Sequence, residues 1–156
     1  MITIRKAKVK DLPKTAKLGA ALLKHHKKFD KYFSPAEGIE KIYKKFFKKN
    51  IYSPKGLLLI AEEKGKIIGY ALATIRKRPS VFKFRRIGNI DDVYIIPAYR
   101  RLRIAKQFLE KIFQWFKIKK IKDIEMQVHI KNEIGKAAWS KYGFKAFTER
   151  RRLKLK

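Results

Sequence analysis

Residues 89–109 read NIDDVYIIPAYRRLRIAKQFL, and this stretch decides the fold. Ile90, Val93, Tyr94, Ile95 and Ile96 make a β-rich run that stops at Pro97. A basic turn follows, with Tyr99, Arg100, Arg101 and Arg103. Ile104, Phe108, Leu109, Ile112 and Phe116 then recur at helical spacing. The first N–H groups of a helix have no intrahelical partner, and the dipole there favours an anion. Strand, basic turn and helix in this order predict a phosphorylated ligand laid against the N-terminus of a helix that starts near Arg103.

The flanks supply the rest of a mixed α/β (α+β) domain. Ile2 to Lys6 alternates as a half-buried strand does. Asp11 is placed to cap a helix with Pro13 in its first turn. Leu18, Ala21, Leu22 and Phe29 share one face of that helix with His25, which reads as a histidine at the core boundary. Ser34-Pro35-Ala36-Glu37 carries a capping-box signature for a second helix lined by Ile39, Ile42, Tyr43 and Phe46. Its opposite face holds Lys41, Lys44, Lys45, Lys48 and Lys49. Leu57 to Ala61 and Lys66 to Ile75 predict a hairpin about Lys64-Gly65. Arg76 to Arg86 is basic and interleaves Phe82 and Phe84. That segment suits a nucleic-acid groove or a twisted strand pair with one buried face. A central strand Ile87 to Ile96, a fifth strand Ile121 to Ile130, a short helix Asn132 to Tyr142 ended by Gly143, and one or two closing strands in Phe144 to Leu155 complete the reading.

The chain has 156 residues, which predicts one domain over 1–156. Hydrophobic content of 46% allows a real core. No apolar run approaches the ~20 residues of a membrane span, and charges from Arg5 onward argue against a signal peptide. Cysteine is absent, which excludes disulfides and thiol chemistry and agrees with a cytoplasmic protein. Three histidines give no metal-ligand spacing, so no metal is expected. Lys and Arg number 42 against 13 Asp and Glu, a net charge of +29. Heat adaptation enriches Lys together with Glu, and here the acids are missing. The field attracts polyanions, with RNA or a ribonucleoprotein as the natural partner class. The other reading is a set of solvated Lys faces.

The same residues resemble the GNAT acetyltransferases over roughly residues 2 to 147. Ile95-Ile96-Pro97-Ala98-Tyr99-Arg100 fills that family's strand end, and Arg100-Arg101-Leu102-Arg103-Ile104-Ala105 fills its phosphate turn. Asn132-Glu133-Ile134-Gly135, Trp139 and Gly143-Phe144 match its second motif. The resemblance implies a GNAT fold: a central, mostly antiparallel twisted sheet of six to seven strands with helices on both faces. It implies an N-acetyltransferase that uses acetyl-CoA as cosubstrate, acting as a monomer or homodimer on an unidentified primary amine. The acceptor is a protein lysine, a protein N-terminus or a small amine. The alternative is a GNAT-fold protein with little or no activity that binds RNA or a ribonucleoprotein.

By that resemblance Val93, Tyr94 and Ile95 meet the pantetheine arm. Backbone N–H groups among Arg101, Leu102, Arg103, Ile104, Ala105 and Lys106 cradle the pyrophosphate. Asn132 stands near the pantetheine arm. Phe29 to Pro35 lies near the acceptor. Asp91 occupies the position of an acid that helps deprotonate the amine through water, and Asp92 and His129 are further candidates. Strict strand alternation puts Asp91 on one face with Val93 and Ile95, and Asp92 on the other with Ile90 and Tyr94. Two departures bear on catalysis. Arg103 stands where the family has a turn glycine. Trp139 stands where many members have a tyrosine acid, so the leaving thiolate takes its proton from water, from Tyr142 or from Tyr94. Asp91 and Asp92 suggest a polyamine acceptor; the overall field opposes one.

Overall fold

The computed structural model describes residues 1–155. Its strands are β1 (Ile2–Lys6), β2 (Gly56–Glu63), β3 (Lys66–Lys77), β4 (Arg86–Ile95) and β5 (Ile124–Met126). Its α-helices are α1 (Leu12–Lys27), α2 (Ile39–Tyr52), α3 (Ile104–Ile118) and α4 (Glu133–Lys141). The strands form one sheet in the order β1-β2-β3-β4-β5. The first four pair antiparallel, and β5 lies parallel to β4.

Helices cover both faces, and this explains why β3 is apolar along almost its whole length rather than alternating. Ile68, Ala71, Ala73 and Ile75 of β3 pack toward Phe108, Ile112 and Phe116 of α3. Ile67, Tyr70 and Leu72 pack the other way, with Leu12 and Leu22 of α1 and Phe47 of α2. The β2–β3 turn falls where the sequence predicts it. Lys64 and Gly65 have φ of 47° and 76° between the paired residues Glu63 and Lys66, the geometry that matches the right-handed twist of a hairpin.

Five expectations need correction. On α2, Ile42 and Phe46 are exposed, and the buried ring is Phe47. The sheet has five strands, not six to seven. Of the stretch Ile121 to Ile130 only Ile124–Met126 is strand, and residues 145–155 form none. A three-residue β5 offers too short a ladder to receive another strand. Phe147, Leu153 and Leu155, which would have to pack under one, are exposed. The capping box does not form. Ser34 Oγ donates to the Lys31 carbonyl at 2.6 Å, and α2 begins later, behind Gly38 at φ 67°. Asp11 precedes α1 without bonding its free amides. Its carboxylate turns back to the guanidinium of Arg5 at 2.7 and 3.0 Å and to the Lys8 N–H. Finally, the basic segment is not a buried strand pair: β3 ends at Lys77, and Phe82 and Phe84 are exposed.

Candidate active site

Register places the two conspicuous acids. Leu72 pairs with Asp92 and Ala73 with Ile90, so Asp91 is an extra residue in β4, a bulge. Ala73 and Ile75 point to the α3 side, which sends Thr74 and Arg76 to the α1/α2 side. Asp91 bonds to both: it accepts from Thr74 Oγ1 at 2.6 Å and from the Arg76 guanidinium. It also accepts from Asn89 Nδ2 at 2.9 Å. Asp92 accepts from the hydroxyl of Tyr70 at 3.0 Å, on that same side. The two carboxylates therefore share a face. This corrects the alternation argument. The extra residue resets the alternation, so Ile90 and Val93 both join the α3-side cluster while Tyr94 stays with Asp92.

Sharing a face does not give the acids one environment. Asp91 is held by an amide, a hydroxyl and a guanidinium. Asp92 has one hydrogen bond, from a tyrosine that is itself fully buried. Burial pushes the Asp92 carboxyl up to about 6, against the Tyr70 hydrogen bond, and the charge of Asp91 adds to the rise. Burial also holds the hydroxyls of Tyr70 and Tyr43 well above their ordinary value, so both remain neutral donors.

Beyond the bulge the sheet opens. β5 pairs with β4 only at Gly88, Asn89 and Ile90. From Asp92 to Ile95, β4 has β3 on one side and, among the described residues, no strand on the other. Its free backbone edge leads into a short 3-10 turn at Pro97–Tyr99 and then to α3. Arg101 and Arg103 both take left-handed backbone, with φ of 68° and 58°. Alternating handedness in a turn gathers N–H groups into an anion-binding concavity. Arg103 is the N-cap of α3 and caps nothing with its side chain, which leaves the first amides of the helix free. Ile104 is buried, so it offers this concavity only its backbone. Leu102 is exposed, and Lys106 lies 3.8 Å from Glu110. Arg100 folds back, its Nε donating to the Ile95 carbonyl at 3.2 Å.

The remaining sequence candidates fall on α4. Asn132 caps that helix, its Oδ1 accepting from the Gly135 N–H at 2.9 Å. Gly135 lies close to that cap: a Cβ there would stand 2.5 Å from Asn132 Nδ2, so a larger residue would need the Asn132 side chain to shift. Trp139 stacks edge-on against Phe144 with centroids 5.4 Å apart. Tyr142 lines a hollow with Phe113, Ile124 and Phe144. Ile124 pairs with Gly88, near the start of β4, whereas Asp92 lies past the bulge. No hydrogen bond among the described residues joins Tyr142 to either acid.

The α1–α2 connection reaches across toward the chain that leaves β5. Phe29 stacks on His129 with centroids 5.9 Å apart, and Phe33 meets the same ring edge-on. Asp30 lies 3.7 Å from His129 Nε2 and accepts from Arg152 at 2.8 Å. Burial lowers the His25 and His26 imidazoles, and the charge of Arg100 lowers His25 further. No local cue in the sequence brings these rings together around one carboxylate. The members of this cluster lie in three separate segments, and no spacing rule links them.

The family model for the acetyltransferase (GNAT) family matches residues 20–144. The chain belongs to the GNAT acetyltransferase family. Solved structures agree in fold. A mutant of a Bacillus halodurans protein is 23% identical at a TM-score of 0.86, covering 98% of this chain and 99% of its own. A predicted acetyltransferase from Clostridium acetobutylicum, solved with acetyl-CoA, is 25% identical at a TM-score of 0.77 over 99% and 97%. An aminoglycoside antibiotic 6'-N-acetyltransferase from Acinetobacter baumannii is 17% identical at 0.76 over 100% and 99%. No curated protein sequence matches. GNAT membership fits the open edge of β4 and the free amides of α3, the two backbone features that an elongated, phosphate-bearing cosubstrate requires. No helix of the described chain is long and apolar enough to cross a membrane.

Proposed function

We propose that this GNAT protein transfers an acetyl group from acetyl-CoA to a primary amine, with Asp92 as general base. The observation that carries the proposal is the bulge at Asp91. It turns Asp92 onto the α1/α2 side at the point where β4 loses its β5 partner, and burial there lifts its carboxyl toward the working pH. A carboxyl titrating near 6 is mostly ionised at neutral pH yet basic enough to take a proton.

The residues divide the work. The free edge at Val93 to Ile95 aligns the pantetheine arm, and amides from Arg101 to Lys106 hold the pyrophosphate. The amine approaches from the α1/α2 side, past Phe29, Phe33 and His129. Asp92 takes its proton as the nitrogen–carbon bond forms, and the carbon–sulfur bond then breaks. Trp139 has no useful acid and Tyr142 lies elsewhere, so the leaving thiolate takes a proton from solvent or from Tyr94, which stays on the Asp92 side. Asp91, paired with Arg76, positions Asp92 by holding the bulge in place.

The acceptor reads as an amine on a protein or a small molecule, with Asp30 as the carboxylate that faces it. The alternative reading, binding of RNA or a ribonucleoprotein without turnover, is favoured by Trp139 in place of an acid. A thiol-release assay separates the two. Acetyl-CoA with a panel of amines, including a lysine-rich peptide and an aminoglycoside, should release free CoA in a manner abolished by Asp92→Asn. Tight acetyl-CoA binding without thiol release on any acceptor would support the alternative.

A further inference from the structure

The end of the sheet remote from the phosphate turn carries a basic pole. β4 runs away from it and α3 runs back toward it, so the β3–β4 connection and the C-terminus of α3 meet there. The Arg86 guanidinium donates to the Lys119 carbonyl at 3.3 Å, and the Gly88 N–H donates to the Asp123 carbonyl at 2.9 Å. Residues 76–86 contain six Lys or Arg and no acid. Among the described residues, Lys77, Arg78, Lys83, Arg85, Arg86 and Lys119 have no carboxylate within ion-pair reach. The basic tail differs, because Arg151 and Arg152 are paired with Glu149 and Asp30.

The pole is more than a solvated charge run. Its loop is closed, the Arg78 N–H donating to the Arg85 carbonyl at 2.6 Å. It holds three apolar side chains in water: Val81, Phe82 and Phe84, at 84%, 43% and 69% exposure. Neither ring joins the core clusters. Each is paired with a cation instead. The Arg78 guanidinium lies 3.9 Å over Phe82, and Lys83 Nζ is 5.7 Å from the centre of Phe84. Exposed aromatic faces alternating with cations on a closed loop meet both needs of an unpaired nucleotide strand: a stacking platform for bases and countercharge for phosphates. A loop built to enter a lipid surface would gather its apolar tip and leave its cations at the rim. Here Lys83 lies between the two rings in sequence and Arg78 lies on one of them.

We propose that the β3–β4 connection, together with the α3 C-terminus, binds single-stranded nucleic acid, with Phe82 and Phe84 stacking bases and Arg78, Arg85 and Lys119 contacting phosphates. The surface lies at the opposite end of β4 from the phosphate turn and shares no residue with the proposed acetyl-CoA site. The test uses the full chain and fluorescein-labelled single strands, a uridine RNA 20-mer and a thymidine DNA 20-mer, with anisotropy read across a salt series. Affinity should fall linearly in log salt. The double variant Phe82→Ala/Phe84→Ala should bind at least about tenfold more weakly at an unchanged salt slope, as loss of stacking requires. Arg78→Glu/Arg85→Glu should flatten the slope by about 1.4, the value for two phosphates on a single strand. Both variants should keep wild-type acetyl-CoA binding by calorimetry, which also shows that they fold. A preference for RNA or DNA names the natural source, and equal affinity supports a surface indifferent to the sugar. The proposal is overturned if neither strand binds at low salt, or if duplex binds as well as single strand and the Phe variants lose nothing. It is equally overturned if Phe82 and Phe84 matter for phosphatidylserine vesicles and not for the oligonucleotides.

Discussion

Replacing Asp92 by Asn should make the protein more stable and less active, and the stability gain should depend on pH. Burial raises the Asp92 carboxyl from an ordinary 3.8 to about 6 in the folded chain. A group raised on folding stabilises the fold fully below its unfolded value, and that contribution is lost as pH climbs through the folded value. Over this interval of just over two units the wild type should give up about 3 kcal/mol, at 1.36 kcal/mol per unit. Asn does not titrate, and its carbonyl can keep the hydrogen bond that Tyr70 donates. Asp92→Asn should therefore match the wild type near pH 4 and exceed it at pH 8, by roughly 6–12 °C in Tm for a chain of this size. Turnover should fall by about a hundredfold to ten-thousandfold, the range for loss of a general base. The acidic limb of the kcat/KM profile near pH 6 should disappear with it. Thermal melts at the two pH values and a thiol-release assay check both halves. Equal melting at both pH values would refute the burial argument, and unaltered turnover would refute the assignment of the base.

Asp91→Asn should act in the opposite sense. It removes the charge that meets Arg76, Thr74 and Asn89, so denaturation should show a loss of about 1.5–3 kcal/mol with a smaller effect on turnover than at Asp92. Ala105→Glu puts bulk and negative charge beside the free amides of α3, and calorimetry should find acetyl-CoA binding abolished while the melt is preserved. Arg103→Gly relieves a left-handed residue but loosens the unfolded chain, so Tm should change little. Acetyl-CoA affinity should drop by about tenfold, the worth of one charge-assisted contact. An unchanged affinity would mean that only the Arg103 backbone serves.

What the sequence made legible follows from the range of each cue. Pro97, the Arg-rich turn and the period of Ile104, Phe108 and Ile112 are local, and the strand, turn and helix appear where they predict. Lys64-Gly65 is a local turn signal too, and the hairpin turns there. The bulge was invisible, because an extra residue exists only relative to a partner strand. With it went the assignment of faces to Asp91 and Asp92. Ser34 to Glu37 shows the converse: the right letters at the right spacing lost to a competing turn in which Ser34 bonds Lys31. The length of β5 depends on its partner: only Ile124 to Met126 pair with Gly88 to Ile90 of β4, which no local spacing could show.

The scarcity of acid sharpens the argument for Asp92. In a field of +29 every carboxylate is pulled toward its ionised form, and Asp11 and Asp30 follow that pull downward through their arginine and backbone partners. Asp92 moves the other way, so its local desolvation outweighs both the field and the Tyr70 hydrogen bond. A chain that needed Asp92 only for packing would gain by replacing it with a neutral residue. The same field bears on the acceptor. It repels a free polycation in solution, so a cationic amine reaches this cleft more readily when its own charge is offset by a bound polyanion. A nucleic-acid surface at Phe82 and Phe84 would supply that offset at the far end of β4, and the two sites would then act on one ribonucleoprotein. The prediction that separates this from coincidence is kinetic. Adding single-stranded RNA should lower KM for a basic protein acceptor at low salt and leave KM for a small neutral amine unchanged, and Phe82→Ala/Phe84→Ala should erase the difference.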